Sequence, residues 1–208
     1  MPNFDVLGLI AGLPGLIIAI VIHEYAHARI AVAMGDYTPQ LTGRLSLNPL
    51  SHIDPVGFFM LIFIRFGWAK PVIINPHNFK NWKMGSLLVA LAGPAANLLI
   101  AFFTVFVIGL LLRFHIHLTT GMQLVLYLIV IYNINFSIFN MLPIPPLDGS
   151  KVLMTFLPDS LAVKLSSLEQ YSVIIFLIMA ATPIVSIILV PLQRFIFVIF
   201  NVILSFIF

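Results

Sequence analysis

The sequence predicts an all-α polytopic membrane protein with about five to six transmembrane helices, a small membrane-associated β-hairpin and a re-entrant segment after the first helix. Hydrophobic residues make up 61% of the chain and charged residues 8%, with a mean hydropathy of +1.13, which lies outside the usual composition of soluble globular domains. Several apolar stretches also reach the length of about 20 residues that a helix needs to cross a bilayer. No internal repeat or soluble second domain is visible, so residues 1–208 are expected to form a single integral-membrane domain.

The first span is expected over residues 6–34, with Gly35 ending the helix. The stretch after Gly35 contains too many prolines, glycines and charges to be a plain span. Within it, residues 41–47 alternate between apolar and polar and residues 70–74 are rich in β-branched side chains, a pattern that predicts the β-hairpin. Residues 56–66 are apolar but too short to cross the membrane, and they predict the re-entrant or interfacial segment.

The second half of the chain predicts further spans. Residues 85–112 and 122–142 are long enough to cross the membrane, and residues 171–208 are almost continuously apolar and fit two more spans. The turn between these two is expected at Thr182-Pro183, because it leaves the last helix long enough to cross a bilayer. A turn at Pro191 would leave the last helix shorter than a bilayer requires.

The basic residues predict an orientation. If the C-terminal end of the first helix faces the cytoplasm, most basic residues lie on that side and the N-terminus lies outside. The cytoplasmic group is Arg29, Arg44, Arg65, Lys70, Lys80, Lys83, Lys151 and Lys164. The opposite group is Arg113 and Arg194.

The segment His-Glu-Tyr-Ala-His at positions 23–27 lies inside the first apolar stretch. On a helix, His23 and His27 are one turn apart and share a face, so both imidazoles can reach one metal ion while Glu24 meets a water at the metal. The same spacing also arises as an ordinary salt-bridged pattern in soluble helices, but residues 7–22 carry no charge and offer no solvated face. Ionisable groups at membrane depth are costly and are usually functional. The pattern therefore predicts a metal site in the cytoplasmic half of the membrane.

Composition limits what can hold the metal and what can bind the chain. The sequence contains no cysteine, which excludes disulfides, thiolate ligands and cysteine nucleophiles. Any metal must therefore be held by His, Asp or Glu. The formal net charge is +3 and the basic residues form no cluster, so no nucleic-acid partner is expected.

A catalytic zinc site takes three protein ligands and a water, so a third ligand must lie elsewhere in the chain. Asp148 is the candidate, because it lies in a proline-rich break directly after a span, and irregular backbone at membrane depth is tolerated only where protein buries it or water fills a cavity. The spacing leaves open the alternative that Asp148 caps a helix starting near Ser150. His52 and Asp54 are a further candidate ligand pair or a gate near the cleft, with a loop-stabilising role as the alternative.

Two asparagines in the predicted membrane segments, Asn97 and Asn140, are secondary candidates. A buried amide can orient a metal ligand, contact the substrate or stabilise an oxyanion. The alternative is interhelical hydrogen bonding, worth about 0.6 kcal/mol. Gly93 and its small neighbours are expected to permit close helix contacts.

Three motifs in this order resemble the site-2 protease family of intramembrane zinc metalloproteases, peptidase family M50. They are His23-Glu24-x-x-His27, Ala92-Gly93-Pro94-Ala95-Ala96-Asn97 and the segment from Asn140 to Gly149. Four shorter segments are also similar to bacterial and archaeal members of the short form without PDZ or CBS domains. These are Gly43-Arg44, Asn48-Pro49, His52-Ile53-Asp54-Pro55 and Trp68-Ala69-Lys70-Pro71.

The resemblance implies that His23, His27 and Asp148 bind one zinc ion per chain and that Glu24 is the general base of peptide hydrolysis. The implied substrates are transmembrane proteins cut in or near their membrane segments, and residues 37–47 are expected to pair with an unwound substrate strand. A homo-oligomer or a regulatory membrane partner is left open. The implied location is a bacterial or archaeal cell membrane, with the active site toward the cytoplasmic side.

A membrane zinc transporter or a metal-binding membrane protein is the alternative function, since some carriers place similar histidine pairs on transmembrane helices. A transporter needs a polar path through both leaflets, and residues 7–20 contain no Asp, Glu or His to provide one. Loss of cleavage on Glu24→Gln supports the enzyme, whereas zinc flux without cleavage supports the carrier.

Overall fold

The apolar stretches fold as α-helices, because a helix satisfies its own backbone hydrogen bonds where no water is available. The computed structural model describes residues 6–64 and 69–207. The helices are α1 Val6–Met34, α2 Thr38–Leu41, α3 Pro55–Ile64, α4 Trp82–Arg113, α5 Thr120–Asn140, α6 Asp148–Phe156, α7 Asp159–Ser166, α8 Ser172–Ala181 and α9 Ile184–Ser205. Short 3-10 turns cover Pro49–Ser51, Pro76–Asn78 and Ser167–Tyr171.

Several helices are long and apolar enough to cross a membrane, which confirms the predicted integral membrane protein. Among the residues that the structure describes, the 5 candidate spans are Leu7–Met34, Trp82–Arg113, Thr120–Asn140, Asp159–Met179 and Val185–Ser205. The fourth is composite, because α8 alone has 10 residues and the span also takes in α7 and a 3-10 turn. The predicted turn at Thr182-Pro183 is confirmed, since α8 ends at Ala181 and α9 begins at Ile184.

Helices α1, α4 and α5 pack closely at the centre of the molecule. A Cβ atom at Gly15 of α1 would lie 2.9 Å from the carbonyl oxygen of Leu128 in α5, so glycine lets the two backbones touch. Ala19, Ala28 and Ala31 of α1 are fully buried. This packing brings the motif residues of α1 against α4 and α5.

Helix α9 runs antiparallel to α5. Val185 and Ile188, near the start of α9, pack with Phe139 at the end of α5. Phe200, further along α9, packs with Val130 in the middle of α5. The two ends of α9 therefore face opposite sides of the membrane.

The predicted β-hairpin is not confirmed, since the described residues contain no strand longer than a single bridge. Residues 41–47 form the end of α2 and an irregular loop, and the pairing near residues 70–74 is one isolated antiparallel bridge between Ile53 and Ala69. Pro39 gives the reason, because it lies in the first turn of α2, where a proline fits a helix start. The alternating side chains thus come from a short helix followed by a loop.

The predicted re-entrant or interfacial segment contains α3. This helix has 10 residues, about half of what a bilayer requires, so it does not cross the membrane alone. The predicted end of the segment, residues 65 and 66, lies outside the described residues, as does Trp68.

The end of α1 is tied to the chain that precedes α4. Gly35 ends the helix with a φ of 112°, as its predicted capping role requires. Asp36 is fully buried and accepts hydrogen bonds from Thr38, from the backbone N–H of Asn75 at 2.7 Å and from the side-chain amide of Asn78 at 2.8 Å. Burial alone would raise the pKa of the Asp36 carboxyl group, but these hydrogen bonds hold it below its usual range.

The proline-rich break after α5 folds back on the end of that helix before α6 begins. A Cβ atom at Gly149 would collide with the carbonyl oxygen of Met141, so only glycine fits at this position. Ser150 closes the first turn of α6 by donating from its backbone N–H and its hydroxyl group to the carbonyl oxygen of Leu147. This local fold brings Asp148, the first residue of α6, to the centre of the bundle.

Candidate metal centre

Three ionisable side chains converge at the centre of the bundle. His23 and His27 lie one turn apart on α1 and Asp148 lies at the start of α6, and all three are buried. The Nε2 atoms of the two histidines are 2.9 Å apart, and each is 3.1 Å from Oδ2 of Asp148. The three predicted ligands are therefore brought together by elements that are far apart in the sequence.

The Nδ1 atoms fix the tautomers of both imidazoles. His23 Nδ1 lies 2.7 Å from Oδ1 of Asn97, whose amide nitrogen donates to a backbone oxygen and to Oδ1 of Asn133. Since that nitrogen is committed to acceptors, the Asn97 oxygen faces His23 and accepts its Nδ1–H. His27 Nδ1 lies 2.7 Å from the carbonyl oxygen of Val89, which can only accept. Both Nε2 atoms therefore carry lone pairs.

This arrangement fits a metal ion. Two imidazole lone pairs and a carboxylate oxygen point at one another with no proton between them, and such atoms repel unless a cation lies among them. Two imidazole nitrogens and one carboxylate oxygen are a ligand set of catalytic zinc sites. Among residues 6–64 and 69–207, the group of His, Asp and Glu side chains that could hold a metal ion is His23, His27 and Asp148.

Asp148 has a different partner for each carboxylate oxygen. Oδ2 faces the imidazoles, whereas Oδ1 is 3.5 Å from Nζ of Lys151, one helical turn further on. Leu147 is the N-cap of α6 and Asp148 is the first residue of the helix, so the geometry favours the ligand role over the capping alternative.

Glu24 lies beside the metal ligands on α1 and is almost fully buried. Its Oε2 atom accepts a hydrogen bond of 2.9 Å from the backbone N–H of Val72. This N–H belongs to the segment 69–75, which runs across the mouth of the site without regular secondary structure. One oxygen of Glu24 is thereby fixed in direction, and the other accepts no hydrogen bond from the residues that the structure describes and remains free for chemistry.

Gly93 has a role at the site that the sequence pattern does not reveal. A Cβ atom there would lie 2.5 Å from Nε2 of His27 and 2.6 Å from Cε1 of His23. The missing side chain therefore makes room for the two imidazoles. The spacing of small residues signals a close helix contact, but it does not indicate that the contact is with the metal ligands.

The two candidate asparagines occupy different positions. Asn97 is fully buried behind His23 and holds its Nδ1–H, which favours the ligand-orienting alternative. Asn140 lines the cavity in front of the metal ligands, and its amide nitrogen donates to the carbonyl oxygen of Phe136 in its own helix. Asn140 is therefore the asparagine that lies on the cavity wall.

A cavity of about 590 Å³ reaches the metal ligands and Glu24. This volume lies in the range of ordinary ligand sites. Its apolar wall includes Val72, Phe79, Trp82 and Val89, and Lys151 lines its polar side. Residues 37–47, the predicted substrate-pairing segment, do not line the cavity; the nearby chain between α3 and α4 does.

His52 and Asp54 have structural partners away from the metal ligands. His52 is fully buried, and its Nε2–H donates to the carbonyl oxygen of Ser46 at 2.7 Å. Asp54 Oδ1 accepts the backbone N–H of Gly57 at 2.8 Å, in the first turn of α3. These contacts favour the loop-stabilising alternative for both residues.

Comparison with known proteins agrees with this geometry. The model of the family described as Peptidase family M50 matches residues 116–186, which include Asp148. The protein named "Putative zinc metalloprotease YwhC" of Bacillus subtilis (strain 168) is 35% identical over 181 residues, covering 85% of this chain and 83% of that protein.

More distant relatives carry a similar name. Proteins named "Putative zinc metalloprotease Rip2" from Mycolicibacterium smegmatis and Mycobacterium tuberculosis (strain H37Rv) are 30% and 28% identical. Each alignment covers 81% of this chain and 66% of the relative. No solved structure matches the chain.

Proposed function

The chain belongs to peptidase family M50, the site-2 protease family of zinc metalloproteases, and from this premise we propose that it is an intramembrane endopeptidase. It is a zinc metalloprotease of the membrane, with zinc as its cofactor. The proposed ligands are His23, His27 and Asp148, and the proposed general base is Glu24. The observation that carries this assignment is the convergence of three buried acceptor atoms beside Glu24 on one cavity.

The proposed chemistry is hydrolysis of a peptide bond. When bound, zinc supplies a Lewis acid for the scissile carbonyl group and lowers the pKa of water toward about 7. Oε1 of Glu24, which the Val72 contact leaves free, accepts a proton from the attacking water as the new C–O bond forms. Glu24 then passes this proton to the leaving nitrogen as the C–N bond breaks.

The surrounding residues have proposed supporting roles. Asn97 keeps His23 in the tautomer that presents its Nε2 lone pair, as residues behind metal ligands commonly do. Asn140 contacts the substrate or the developing oxyanion from the cavity wall.

The proposed substrates are transmembrane segments of other proteins. His27 lies seven residues before Met34, the end of α1, which is about 10 Å along the helix and so within the membrane. A substrate helix hides its amides in its own hydrogen bonds and must unwind before a carbonyl group can be attacked. The segment 69–75, which lines the cavity, is the proposed backbone beside which the unwound substrate lies.

The distribution of basic residues supports a cytoplasmic position for the site. Lys151 lies in the metal cavity, and Lys80 and Lys83 lie near the start of α4, on the same side of the membrane as the end of α1. Cytoplasmic ends of spans carry an excess of Lys and Arg. We therefore propose that cleavage occurs toward the cytoplasm of a bacterial or archaeal cell.

The first test is the zinc content of the purified protein, because it needs no known substrate. Wild type and Glu24→Gln are expected to hold one zinc ion per chain, and Asp148→Ala is expected to lose it. Asp159→Ala is the matched control, because Asp159 also begins a helix but lies outside the cavity. The proposed ligand set would be wrong if the wild type held no zinc after purification without chelators. It would also be wrong if Asp148→Ala held as much zinc as the wild type.

The second test is cleavage in proteoliposomes. A mixture of synthetic transmembrane peptides is incubated with each protein, and the products are identified by mass spectrometry. Wild type and Asp159→Ala are expected to cut at least one peptide within its apolar segment, and Glu24→Gln is expected to cut none. Zinc flux into the vesicles by a wild type that cuts nothing would support the carrier instead.

A further inference from the structure

Arg194 lies in the middle of a membrane-spanning helix. The orientation predicted from the basic residues groups Arg194 with Arg113 on the side opposite the cytoplasm, but Arg194 lies inside the candidate span Val185–Ser205. Each end of α9 is ten or eleven residues away, or about 15 Å along the helix. This is half the thickness of the roughly 30 Å hydrocarbon core. Its side chain is nevertheless exposed on the surface of the bundle.

Arg194 has no partner within the part of the chain that the structure describes. Every ion pair found there includes Asp148, and none includes Arg194. No hydrogen bond from the guanidinium group of Arg194 is observed among these residues either. An ionised side chain at this depth is costly and almost always pairs with another group or faces a water-filled cavity. An exposed and unpaired arginine in the membrane therefore indicates a missing neighbour.

The same side of α9 carries further polar groups. Asn201 and Ser205 follow Arg194 by seven and eleven residues, a spacing that puts all three on one side of a helix, and both are exposed. The packed side of α9 is a different one, where Phe200 and Leu204 are buried. Arg194, Asn201 and Ser205 are called the α9 polar face.

We propose that the α9 polar face docks a transmembrane helix of another protein that carries a carboxylate near the middle of the bilayer. The guanidinium group offers two parallel N–H donors to such a carboxylate. Asn201 and Ser205 can add hydrogen bonds to the same helix, as polar residues do between membrane helices.

A two-fold symmetric pair of copies of this chain does not supply the carboxylate on this face. Two-fold pairing on this face would bring Arg194 toward its own counterpart, and like charges repel. Within the candidate spans the acidic residues are Glu24, which is buried at the metal centre, Asp159, which begins a span, and Glu169, which lines the metal cavity. Glu169 lies ten residues from each end of its candidate span, so contact of Arg194 with Glu169 of a second copy is an outcome that the test below distinguishes.

A lipid phosphate is also a poor match. Phosphate groups lie at the membrane surface, about 15 Å from the position of Arg194 on α9. The polar residues after Arg194 continue along one side of the helix, which suits a partner that runs parallel to α9 for several turns.

The test measures association in vesicles of zwitterionic phosphatidylcholine. The full-length chain carries an energy-transfer donor, and the probe is a synthetic leucine-rich helix of about 20 residues with one central Glu and an acceptor. The Glu peptide is expected to associate with wild type, and Arg194→Leu is expected to weaken the association by about tenfold or more. A peptide with Gln in place of Glu is expected to bind no better to wild type than to Arg194→Leu.

Controls separate docking from folding and from catalysis. Arg113→Leu removes an exposed arginine at the end of α4 and is expected to leave peptide association unchanged. Arg194→Leu and Arg113→Leu are both expected to hold as much zinc as wild type, which shows that they fold. Because association is read directly, the result does not depend on the proposed protease activity.

Four outcomes would overturn the proposal. Glu and Gln peptides that bind equally, or binding that survives Arg194→Leu, would remove the role of the charge pair. Donor-labelled and acceptor-labelled copies of the chain can also be mixed without peptide. Energy transfer between them that is lost in Arg194→Leu would identify a second copy as the occupant of the α9 polar face. Binding of fluorescent phosphatidylglycerol that depends on Arg194, with no peptide association, would identify a lipid headgroup.

Discussion

Each ligand imidazole has one nitrogen committed to the protein and the other left for the metal. His23 donates to Asn97 and His27 donates to Val89, and both acceptors belong to α4. The orientation of the rings is thus set before any metal binds, and the fixed Nδ1–H leaves Nε2 as the metal-facing atom. The zinc affinity of the site should therefore depend on α4 residues that never touch the ion.

Gly93 offers the most direct test of this dependence. We expect Gly93→Ala to lower zinc affinity by about tenfold or more, because the added methyl group would lie 2.5 Å from Nε2 of His27 and displace a ligand atom. Competition with a fluorescent chelator measures the change. Gly121→Ala, also in a helix but with nothing within 4 Å of the new Cβ atom, is the control and should bind zinc like wild type. Equal affinity in the two variants would contradict the packing argument.

The two asparagines should fail in different ways when truncated. Asn97→Ala is expected to lower zinc affinity by about 10- to 100-fold, because His23 loses the acceptor that fixes its tautomer. Asn140→Ala is expected to keep its zinc and to lower kcat by about 10²- to 10³-fold, because Asn140 is proposed to contact the oxyanion. Zinc titration and peptide cleavage of both variants give the comparison. Zinc loss in Asn140→Ala with none in Asn97→Ala would reverse the two assignments.

Among the elements, the segment 69–75 links the metal centre to the end of α1. Lys70 donates its N–H to the carbonyl oxygen of His52, Val72 donates to Glu24, and Asn75 donates to Asp36. The segment is therefore held at both ends and in its middle. The direction of Glu24 depends on the two outer contacts as well as on its own hydrogen bond.

The pH dependence of stability tests the contact at Asp36. The folded-state pKa of this carboxyl group is lowered, so its contribution is complete above the unfolded pKa of about 4 and is lost as the pH falls through the folded value. We expect Asp36→Asn to lose about 2 kcal/mol at neutral pH and to show a smaller fall in stability below about pH 4 than wild type. Thermal unfolding in detergent across this range measures both effects.

The matched control is Asp159→Asn, which changes an exposed aspartate at the start of α7. It should unfold like wild type at every pH. Hydrogen exchange gives a second readout, since the amides of Val72 and Asn75 should exchange faster in Asp36→Asn. Unchanged exchange together with unchanged acid sensitivity would show that Asp36 does not hold the segment.

The helices could be predicted from the sequence more fully than the connections between them. Long apolar stretches fix α1, α4 and α5, because crossing a bilayer leaves the backbone few alternatives. The chain between α1 and α4 has no such constraint, and the alternation in residues 41–47 arises from α2 and a loop instead of a strand. Local alternation of side chains does not specify a partner, so a hairpin could not be established from it.

The metal site shows the same limit at longer range. His23 and His27 share a face by helix geometry alone, so their proximity can be predicted from the sequence. Sequence spacing does not decide whether Asp148 caps a helix or binds the metal. The position of Asp148 depends on how the break after α5 folds back around Gly149. The role of Gly93 depends on which helix face meets α1, and sequence spacing does not contain that information.

For the whole molecule, zinc is expected to act as a cross-link between its two halves. The proposed ligands come from α1 and α6, and Asp148 lies 125 residues after His23 and 121 residues after His27. The core cluster of buried apolar residues joins α4, α5 and α9, whereas Asp148 of α6 faces the imidazoles of His23 and His27 on α1. Binding of zinc should therefore stabilise the connection of α6 to the bundle in addition to enabling catalysis.

This linkage predicts a stability effect that needs no substrate. Zinc at about 100 times its Kd should stabilise the folded state of the metal-stripped wild type by about 2.7 kcal/mol, because it binds the folded state alone. Asp148→Ala should show little of this gain, and Asp159→Ala should show all of it. Magnesium, which prefers oxygen ligands, should give no comparable gain in any variant. Thermal unfolding in detergent with each metal measures the effect, and an equal zinc gain in wild type and Asp148→Ala would mean that α6 is not joined to α1 through the metal.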